Sequence, residues 1–306
     1  MFTKPLVTRV GFITAALLAI ASASAEAQTT LRYQYKEGDK LNYTMDQTQK
    51  QAISVMGMDI ETSTAMNMEM TWNVKSVKDK KAQVSQTMDR IKMKMDSAFA
   101  AFDYDSKDGK EPEGPVGMIL GPLFAAMVGA EVTVTTNEIG EVSDTKVSDK
   151  LVDALKTNPA LAQMGGAFSE EGLKNMFGQS SGLMLPKDPV KKGDTWDQKM
   201  ELKMPPVGIM KMHNKFTYMG SEERGGKMLE KIDVKIDLTI APIEDPNQPF
   251  EIKVKSSEMK GTMYFDNKAG RLAESVLNTK MAMEINAMGN VIDSSMDQTV
   301  TLKLAK

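Results

Sequence analysis

Apolar and polar residues alternate along many segments of the chain. The alternation is plain in residues 90–95 (RIKMKM), 199–204 (KMELKM) and 233–240 (DVKIDLTI). A two-residue period places the apolar side chains on one face of a strand and the charged side chains on the other. One dry face and one wet face are typical of antiparallel sheets. The pattern predicts a mainly β protein with large antiparallel sheets of about a dozen long strands, forming an open barrel or a sandwich, with a short helical insert.

Turn chemistry supports long hairpins. Residues 53–60 and 285–292 share the pattern I-x-x-M-G-x-x-I, and residues 132–142 align without gaps with residues 262–272. Glycine near each tip supplies the positive φ that tight turns require. All four segments are therefore predicted to be hairpins.

The middle of the chain has a different pattern. Residues 115–128 are apolar and begin with a proline, which predicts a short helix. Ser148 is a suitable N-cap for a helix over 148–157, and Ser169 precedes an acidic first turn of another helix. These patterns divide the chain into a signal peptide over 1–27, a first β block over 28–147, a helical insert over 148–182 and a second β block over 183–306.

The first 27 residues are typical of an export signal. Lys4 and Arg9 precede an apolar stretch over 10–20, and small residues follow it up to Ala27. Cleavage is expected after Ala25 or Ala27. No later stretch is long and apolar enough to span a bilayer. We therefore expect a periplasmic or extracellular protein that is not transmembrane after signal cleavage.

Composition excludes several kinds of chemistry. The 306 residues include no Cys and one His, and the net charge is −3. Disulfides, thiolate metal sites and a Cys nucleophile are therefore excluded, and nucleic acid is not the expected partner. The phosphate-binding loop and the dinucleotide fingerprint are missing from the sequence. We expect a protein that is not an enzyme and that uses no cofactor.

Methionine is unusually abundant, with 27 residues against 20 Leu. Many of these methionines alternate with polar residues, which would place them on one face of a strand; the candidates for a ligand-binding face are Met66, Met68, Met70, Trp72, Met93, Met95, Met281 and Met283. Met is flexible and polarizable, so a Met-rich face adapts to irregular apolar partners. The expected function is non-enzymatic binding, or a structural role with an unknown partner. The predicted ligand is a lipid or a hydrophobic polypeptide. The alternative for the Met face is a dry core with soft packing.

Two further functions stay open. Met210, Met212 and His213 form a soft ligand set that suits Cu(I). Exposed methionines could instead consume oxidant and be reduced again. Against the copper function, the Met-x-Met pairs are spread over the whole chain and fit the strand period together with Ile, Val and Leu.

The sequence resembles a family of exported bacterial proteins of unknown function. The resemblance covers nearly the whole mature chain and rests on residues 31–38 (LRYQYKEG), 104–114 (YDSKDGKEPEG), 169–175 (SEEGLKN), 193–196 (GDTW) and 264–272 (YFDNKAGRL). It implies secretion and a β-rich fold and brings no known activity. A looser architectural likeness is to periplasmic lipoprotein carriers, in which helices plug the apolar concave face of an open β-barrel.

Overall fold

The computed structural model describes residues 28–55, 57–98, 101–110, 113–157, 170–180, 183–204, 208–242, 250–287 and 290–305. The predicted signal peptide lies outside these residues. Within the described ranges the strands are β1 Lys40–Val55, β2 Met58–Lys78, β3 Lys81–Ser97, β4 Ala101–Asp105, β5 Glu131–Asn137, β6 Val142–Val147, β7 Thr195–Met204, β8 Gly208–Arg224, β9 Lys227–Ala241, β10 Phe250–Asp266, β11 Arg271–Ala287 and β12 Asn290–Leu304.

These strands form one antiparallel sheet. Its order is β6-β5-β3-β2-β1-β12-β11-β10-β9-β8-β7, and β4 pairs with the last part of β3. The first and last strands therefore meet in the middle of the sheet, and β6 and β7 form its edges. These two strands do not pair within the described part of the chain, so the sheet is not closed into a barrel. The structure confirms the predicted mainly antiparallel β class.

The strand period gives the sheet two chemically different faces. Tyr43, Met68 and Val234 are buried on the inner face, whereas the intervening positions on long strands are mostly exposed. Cross-strand register keeps like faces together, because Met45 pairs with Met68 and Met68 with Ile91. Two predicted hairpins are confirmed, since the isoleucines at positions 53 and 60, and those at 285 and 292, pair directly.

The two ends of the sheet differ in how they are closed. The strap end carries the turns at 79–80, 138–141, 225–226 and 267–270, and the opposite end of the sheet is called the open end. Residues 28–39, called the strap, run across the strap end. Its backbone hydrogen-bonds in turn to the backbone of Val190, Glu138, Gly270 and Val74. The strap therefore joins parts of the sheet that lie far apart in the chain.

One turn glycine allows the strap to approach closely. Gly270 has φ +61°, and a Cβ there would lie 2.3 Å from the backbone nitrogen of Gln34. That nitrogen donates a hydrogen bond to the Gly270 carbonyl at 3.0 Å. Beneath the strap lies the largest buried cluster, made by Leu31, Ile139, Leu183, Leu185, Val190, Phe216, Tyr218, Ile232, Val234, Phe265 and Leu272. Burial raises the pKa of Tyr33, whose hydroxyl donates to the Leu183 carbonyl at 2.9 Å.

The described helices are α1 Gly114–Met127, α2 Asp149–Thr157 and α3 Glu170–Ser180. All three were expected from the sequence. The Ser148 carbonyl accepts hydrogen bonds from Leu151 and Val152, but its hydroxyl has no partner, so the side chain does not cap α2 as predicted. Ser169 lies outside the described residues. α3 packs against both β6 and β7 and therefore bridges the two edges of the sheet.

Candidate functional site

The inner face of β2, β3 and β4 lies beneath α1 and is called the covered face. Its buried centre is formed by Met68, Ile91, Phe102, Tyr104 and Phe124 of α1. The ring centroid of Phe124 lies 5.4 Å from that of Tyr104. Partly buried side chains surround this centre, namely Met45, Met66, Met88, Met93, Met95, Val116, Leu120, Leu123, Met127 and Val128. Four of the predicted ligand-face residues, Met66, Met68, Met93 and Met95, are therefore packed against protein.

The covering helix is apolar on every side. Residues Gly114–Met127 include no polar side chain, and Pro122 lies inside the helix. A helix at the surface of a globular protein normally presents a polar face to water. Here Met118 points outward and is 71% exposed. The helix therefore covers the methionines with one face and leaves apolar side chains in contact with solvent.

Ion pairs hold the turn that leads from β4 toward α1. Arg90 donates to the Asp105 carboxylate and, at 3.0 Å, to Glu69, and Lys107 donates to Glu69 at 3.0 Å. The Arg90 guanidinium lowers the pKa of Asp105 to about 2. The hydrogen bond from Lys107, followed by that from Arg90, lowers the pKa of Glu69. We call these four residues the clamp.

Met70 and Trp72, the other two predicted residues on β2, lie beside the covered face. They line a cavity of about 60 Å³ together with Met88 and Val132 of the sheet and Met127 and Leu151 of the helices. Its lining is almost entirely apolar. The flexible methionine side chains around this cavity are therefore not tightly packed against one another.

The inner face of β8–β12, with the end of β1, is the uncovered face. It carries half-buried apolar side chains toward the open end of the sheet: Ile53, Met210, Met212, Leu238, Ile240, Ile252, Val254, Met281, Met283, Ile285, Ile292 and Met296. None of these residues belongs to the buried clusters of the described chain. The described helices contact mainly β4, β6, β7 and one another. The last two predicted residues, Met281 and Met283, therefore lie on a face that no described helix covers.

Polar side chains separate this face from the core beneath the strap. Gln49, Gln51, Gln298 and Ser294 are linked by hydrogen bonds of 3.2–3.4 Å between their side chains. Further along the same belt, the amide oxygen of Asn214 and the hydroxyl oxygen of Ser257 are buried without a hydrogen-bond partner in the described part of the chain. Asn214 is itself only 9% exposed. Such atoms are costly to bury and fit a site that receives a hydrogen-bonding ligand.

The structure does not bring the proposed copper ligands together. Met210 and Met212 lie on the inner face, whereas His213 lies on the opposite face, with Nε2 3.0 Å from an Asp197 carboxylate oxygen. Adjacent residues of a strand point to opposite sides, so the soft ligand set predicted from sequence does not form. The described residues also hold no group of three or more His, Cys, Asp or Glu suited to a metal ion. The oxidant-scavenging alternative stays a prediction.

A hollow of about 940 Å³ lies on the charged face and crosses β3, β2, β1, β12, β11 and β10. Most of its lining residues belong to two rows on the outer face, including Glu258, Lys280, Asp297 and Lys50 in neighbouring register positions. Charges of alternating sign along this row make the hollow unsuitable for an apolar ligand.

Sequence reasoning found the Met positions but missed the residues that cover them. Phe102, Tyr104 and Phe124 were not expected to meet, because they belong to two elements that pair only in the folded chain. The hydrophobicity of residues 115–128 was the available signal for a cover. The alternation of side chains along a strand also indicated that His213 could not join Met212, because adjacent residues of a strand point to opposite faces.

Taken together, the fold and the candidate site define an open antiparallel sheet protein with a partly covered apolar inner face. The chain belongs to the family of unknown function DUF6263, whose model matches residues 84–272. This match confirms the resemblance to a family of unknown function. A comparison with curated protein sequences gives no match.

Two solved structures match this chain at low similarity. A structure describing lipid–protein interactions in lipovitellin is 11% identical, with a TM-score of 0.49, and the match covers 89% of this chain and 26% of that chain. This chain thus spans about a quarter of the length of the lipovitellin chain. An outer membrane channel from Pseudomonas putida F1 is 8% identical, with a TM-score of 0.25, covering 89% of this chain and 97% of that one. At these levels neither likeness bears on function. No helix among the described residues combines the length and apolar character needed to cross a membrane.

Proposed function

We propose that this protein is an exported, non-enzymatic binding protein that holds an amphiphilic lipid on its uncovered face. The observation that carries the proposal is the continuation of apolar residues past the buried core. Met281, Met283 and Ile285 follow one another on the inner side of β11, outside the buried clusters of the described chain. Soluble proteins rarely leave contiguous apolar surface without a partner.

An acyl chain suits this surface energetically. Burial of each methylene contributes about 0.8 kcal/mol, so a chain lying along several strands gains enough to be retained. Met281, Met283, Met210 and Met212 are unbranched and can adjust to a ligand of variable shape. The β-branched side chains of Ile285 and Ile292 supply a firmer rim at the open end.

The polar belt supports a ligand that also carries hydrogen-bond donors. Asn214 donates through its amide nitrogen to Gln198 at 3.3 Å, while its oxygen has no donor in the described chain. A hydroxyl or amide of a lipid would satisfy this oxygen. The proposed arrangement places the polar part of the ligand near Asn214 and Ser257 and its chain toward Ile285.

The export signal is consistent with this function. Lipids dissolve poorly in the aqueous space outside the cytoplasm, and a protein that shields an acyl chain there would increase the soluble amount of lipid. Binding of this kind requires no catalytic group and no cofactor. Because of the export signal, the proposed location is the periplasm or the outside of the cell.

The test is direct identification of the ligand. Protein purified without detergent and examined by native mass spectrometry should retain lipid, and an apolar fluorescent dye should compete for the site. Met283→Gln combined with Ile285→Asn should lower dye affinity about tenfold or more, because two apolar contacts are lost. The matched control is Lys280→Gln on the outer side of the same strand, which should leave the affinity unchanged.

A second variant separates ligand binding from simple packing. Asn214→Leu removes a buried oxygen that lacks a partner, so the folded protein should become more stable or stay the same. If that oxygen accepts a hydrogen bond from the ligand, the same variant should nevertheless retain less lipid. No retained lipid and no dye binding in the wild-type protein would contradict the proposal.

A further inference from the structure

The ladder between β9 and β10 ends before the two strands do. β10 pairs with β9 only from Met259 to Phe265, and the pair nearest the open end is Met259 with Ile236. Beyond this pair, residues 237–241 of β9 keep their pairing with β8, and residues 250–258 of β10 keep theirs with β11. The two strands therefore separate toward the open end, and we call residues 237–241 and 250–258 the fork.

Two features of β10 account for the fork. At Gly261 the strand lies so close to β11 that a Cβ would clash with the carbonyl oxygen of Val276. Glycine inside a strand permits such a close approach of two backbones. Nearer the open end, a register shift between Val254 and Ser256 leaves Lys255 as a bulge, which bends the strand. Both features keep β10 with β11 where its ladder to β9 ends.

Polar groups without partners gather at the fork. The facing edges of β9 and β10 carry backbone N–H and C=O groups that form no ladder with each other there. The Ser257 hydroxyl oxygen is buried without a hydrogen-bond partner in the described chain, and so is the amide oxygen of Asn214. Asn214 is 9% exposed and pairs with Ile236, where the ladder ends. Two of the four such oxygens in the described chain thus adjoin one break in the sheet, which favours a hydrogen-bonding ligand there.

The fork adjoins a polar hollow on the outer face. The hollow of about 940 Å³ reaches β10 at Ser256, Ser257 and Glu258. Its floor beside the fork is made of short side chains, because Ser256 pairs with Ala282 and Ala282 pairs with Ser295. Short side chains leave space above the sheet, and the two hydroxyl groups offer hydrogen bonds. A polar group that passes the fork from the inner face would therefore enter this hollow.

The charges of the fork favour an uncharged ligand group. The fork carries three acidic residues and two lysines, a net charge of −1: Asp237, Glu251, Glu258, Lys253 and Lys255. Asp237, Lys255 and Glu258 are already in ion pairs. Glu251 and Lys253, which are in none of these pairs, offset each other in charge. The fork therefore has no surplus of positive charge that would bind a phosphate or a carboxylate.

We infer that the fork is the opening through which the polar head of a bound lipid reaches water, and that this head is bulky, uncharged and rich in hydroxyl groups. The inference rests on the proposed function, because the acyl chain would lie on the uncovered face beside the fork. Ser257, with Asn214 one strand further in, would hydrogen-bond the head where it crosses the sheet. The outer hollow would hold the rest of the head.

A covalent link across the fork tests this inference. Thr239→Cys with Ser256→Cys places one thiol on each side of the fork, and the chain has no other Cys. The matched control is Lys211→Cys with Thr239→Cys, since Lys211 and Thr239 are already paired across β8 and β9. The thiols are joined by oxidation or, where oxidation leaves them free, by a short bismaleimide. Mass spectrometry confirms the link in each variant.

The ligands are decyl maltoside, used below its micelle concentration, and 1-decanol, which share a chain and differ in the size of the head. Displacement of the apolar dye measures each affinity. The linked fork variant should bind decyl maltoside about tenfold more weakly than the wild-type protein, because the hydrogen bonds at the fork are lost. It should bind 1-decanol as before. The linked control should bind both amphiphiles as the wild-type protein does.

The outcomes separate this inference from the proposed function. Unchanged affinity of the linked fork variant for decyl maltoside, while 1-decanol binds, would overturn the inference and leave the proposed function intact. An equal loss for both amphiphiles would also overturn it, because the fork would then act on the chain and not on the head. No binding of either amphiphile or of the dye by the wild-type protein would overturn both.

A second variant needs no link. Ser257→Ala removes only a hydroxyl at the fork and should weaken the binding of decyl maltoside severalfold without changing that of 1-decanol. Ser76→Ala is the control, because Ser76 is an exposed serine near the strap end of β2. Decyl sulfate, with the same chain and a charged head, should bind the wild-type protein more weakly than decyl maltoside. Tighter binding of decyl sulfate would contradict an uncharged head.

Discussion

The covered and uncovered faces have the same sequence pattern and different surroundings. On β3, Met93 and Met95 alternate with lysine and pack toward the cluster that Phe124 of α1 completes. On β11, Met281 and Met283 alternate in the same way but join no buried cluster of the described chain. A Met-x-Met pair on a strand therefore indicates which way the side chains point. It does not indicate what lies against them.

The difference between the two faces is made by a helix of 14 residues. α1 supplies the aromatic ring and the aliphatic side chains that complete the covered cluster. The second half of the sheet depends instead on the strap, which fills only the end where it crosses. The described part of the protein thus contains a soft core and an apolar surface that no described helix covers.

The largest expected effect is the loss of the ring that closes the covered face. Phe124→Ala should lower the free energy of unfolding by about 3–5 kcal/mol, because a buried aromatic side chain leaves a cavity. Ile285→Ala on the uncovered face should lower the free energy of unfolding by only about 1 kcal/mol, since this side chain is already partly exposed and joins no buried cluster of the described chain. Urea denaturation of both variants measures the difference. Equal losses would show that the two faces are buried to the same extent.

A second prediction concerns the strap, which closes the other half of the sheet. Gly270→Ala places a Cβ against the Gln34 backbone, whereas Gly225→Ala meets no atom within 4 Å although its φ of +57° is similar. Gly225→Ala, the control, should lower the free energy of unfolding by about 1 kcal/mol through backbone strain. Gly270→Ala should lower it clearly more, because its Cβ also clashes with the strap. Hydrogen exchange should also show faster exchange of the Gln34 amide in Gly270→Ala alone. Unchanged protection of that amide would mean that the strap is held without this contact.

The strands could be predicted from sequence because alternation is a local signal. Residues 53–60 and 285–292 gave the correct hairpins, and residues 115–128 gave the correct helix. The pairing of β1 with β12 could not be predicted, because it joins residues about 250 positions apart and has no local signature. The face that α1 buries was equally inaccessible, since a helix with no polar side chain shows no preferred face.

Acid should loosen the cover by protonating Asp105. The pKa of Asp105 is about 2 in the folded protein and 3.8 ordinarily, so its pairing with Arg90 stabilises the fold fully above the ordinary value. That contribution is lost as the pH falls from about 4 toward 2. Hydrogen exchange in α1 should therefore accelerate over this range. Asp105→Asn should show fast exchange in α1 already at neutral pH, and Glu284→Gln on β11 should not.

The smallest expected effect is a change in the oxidation rates of individual methionines. Peroxide oxidises sulfur according to its exposure, so Met118 at 71% exposed should react early and Met68 at 7% exposed should react late. Met281 and Met283 should react at intermediate rates in the lipid-free protein. Bound lipid should slow these two severalfold and leave Met118 unchanged, because the ligand would cover only the uncovered face. Peptide mass spectrometry of the lipid-free and lipid-loaded protein measures each rate. Protection of Met93 and Met95 instead would mean that α1 moves aside and that the covered face is the one that binds lipid.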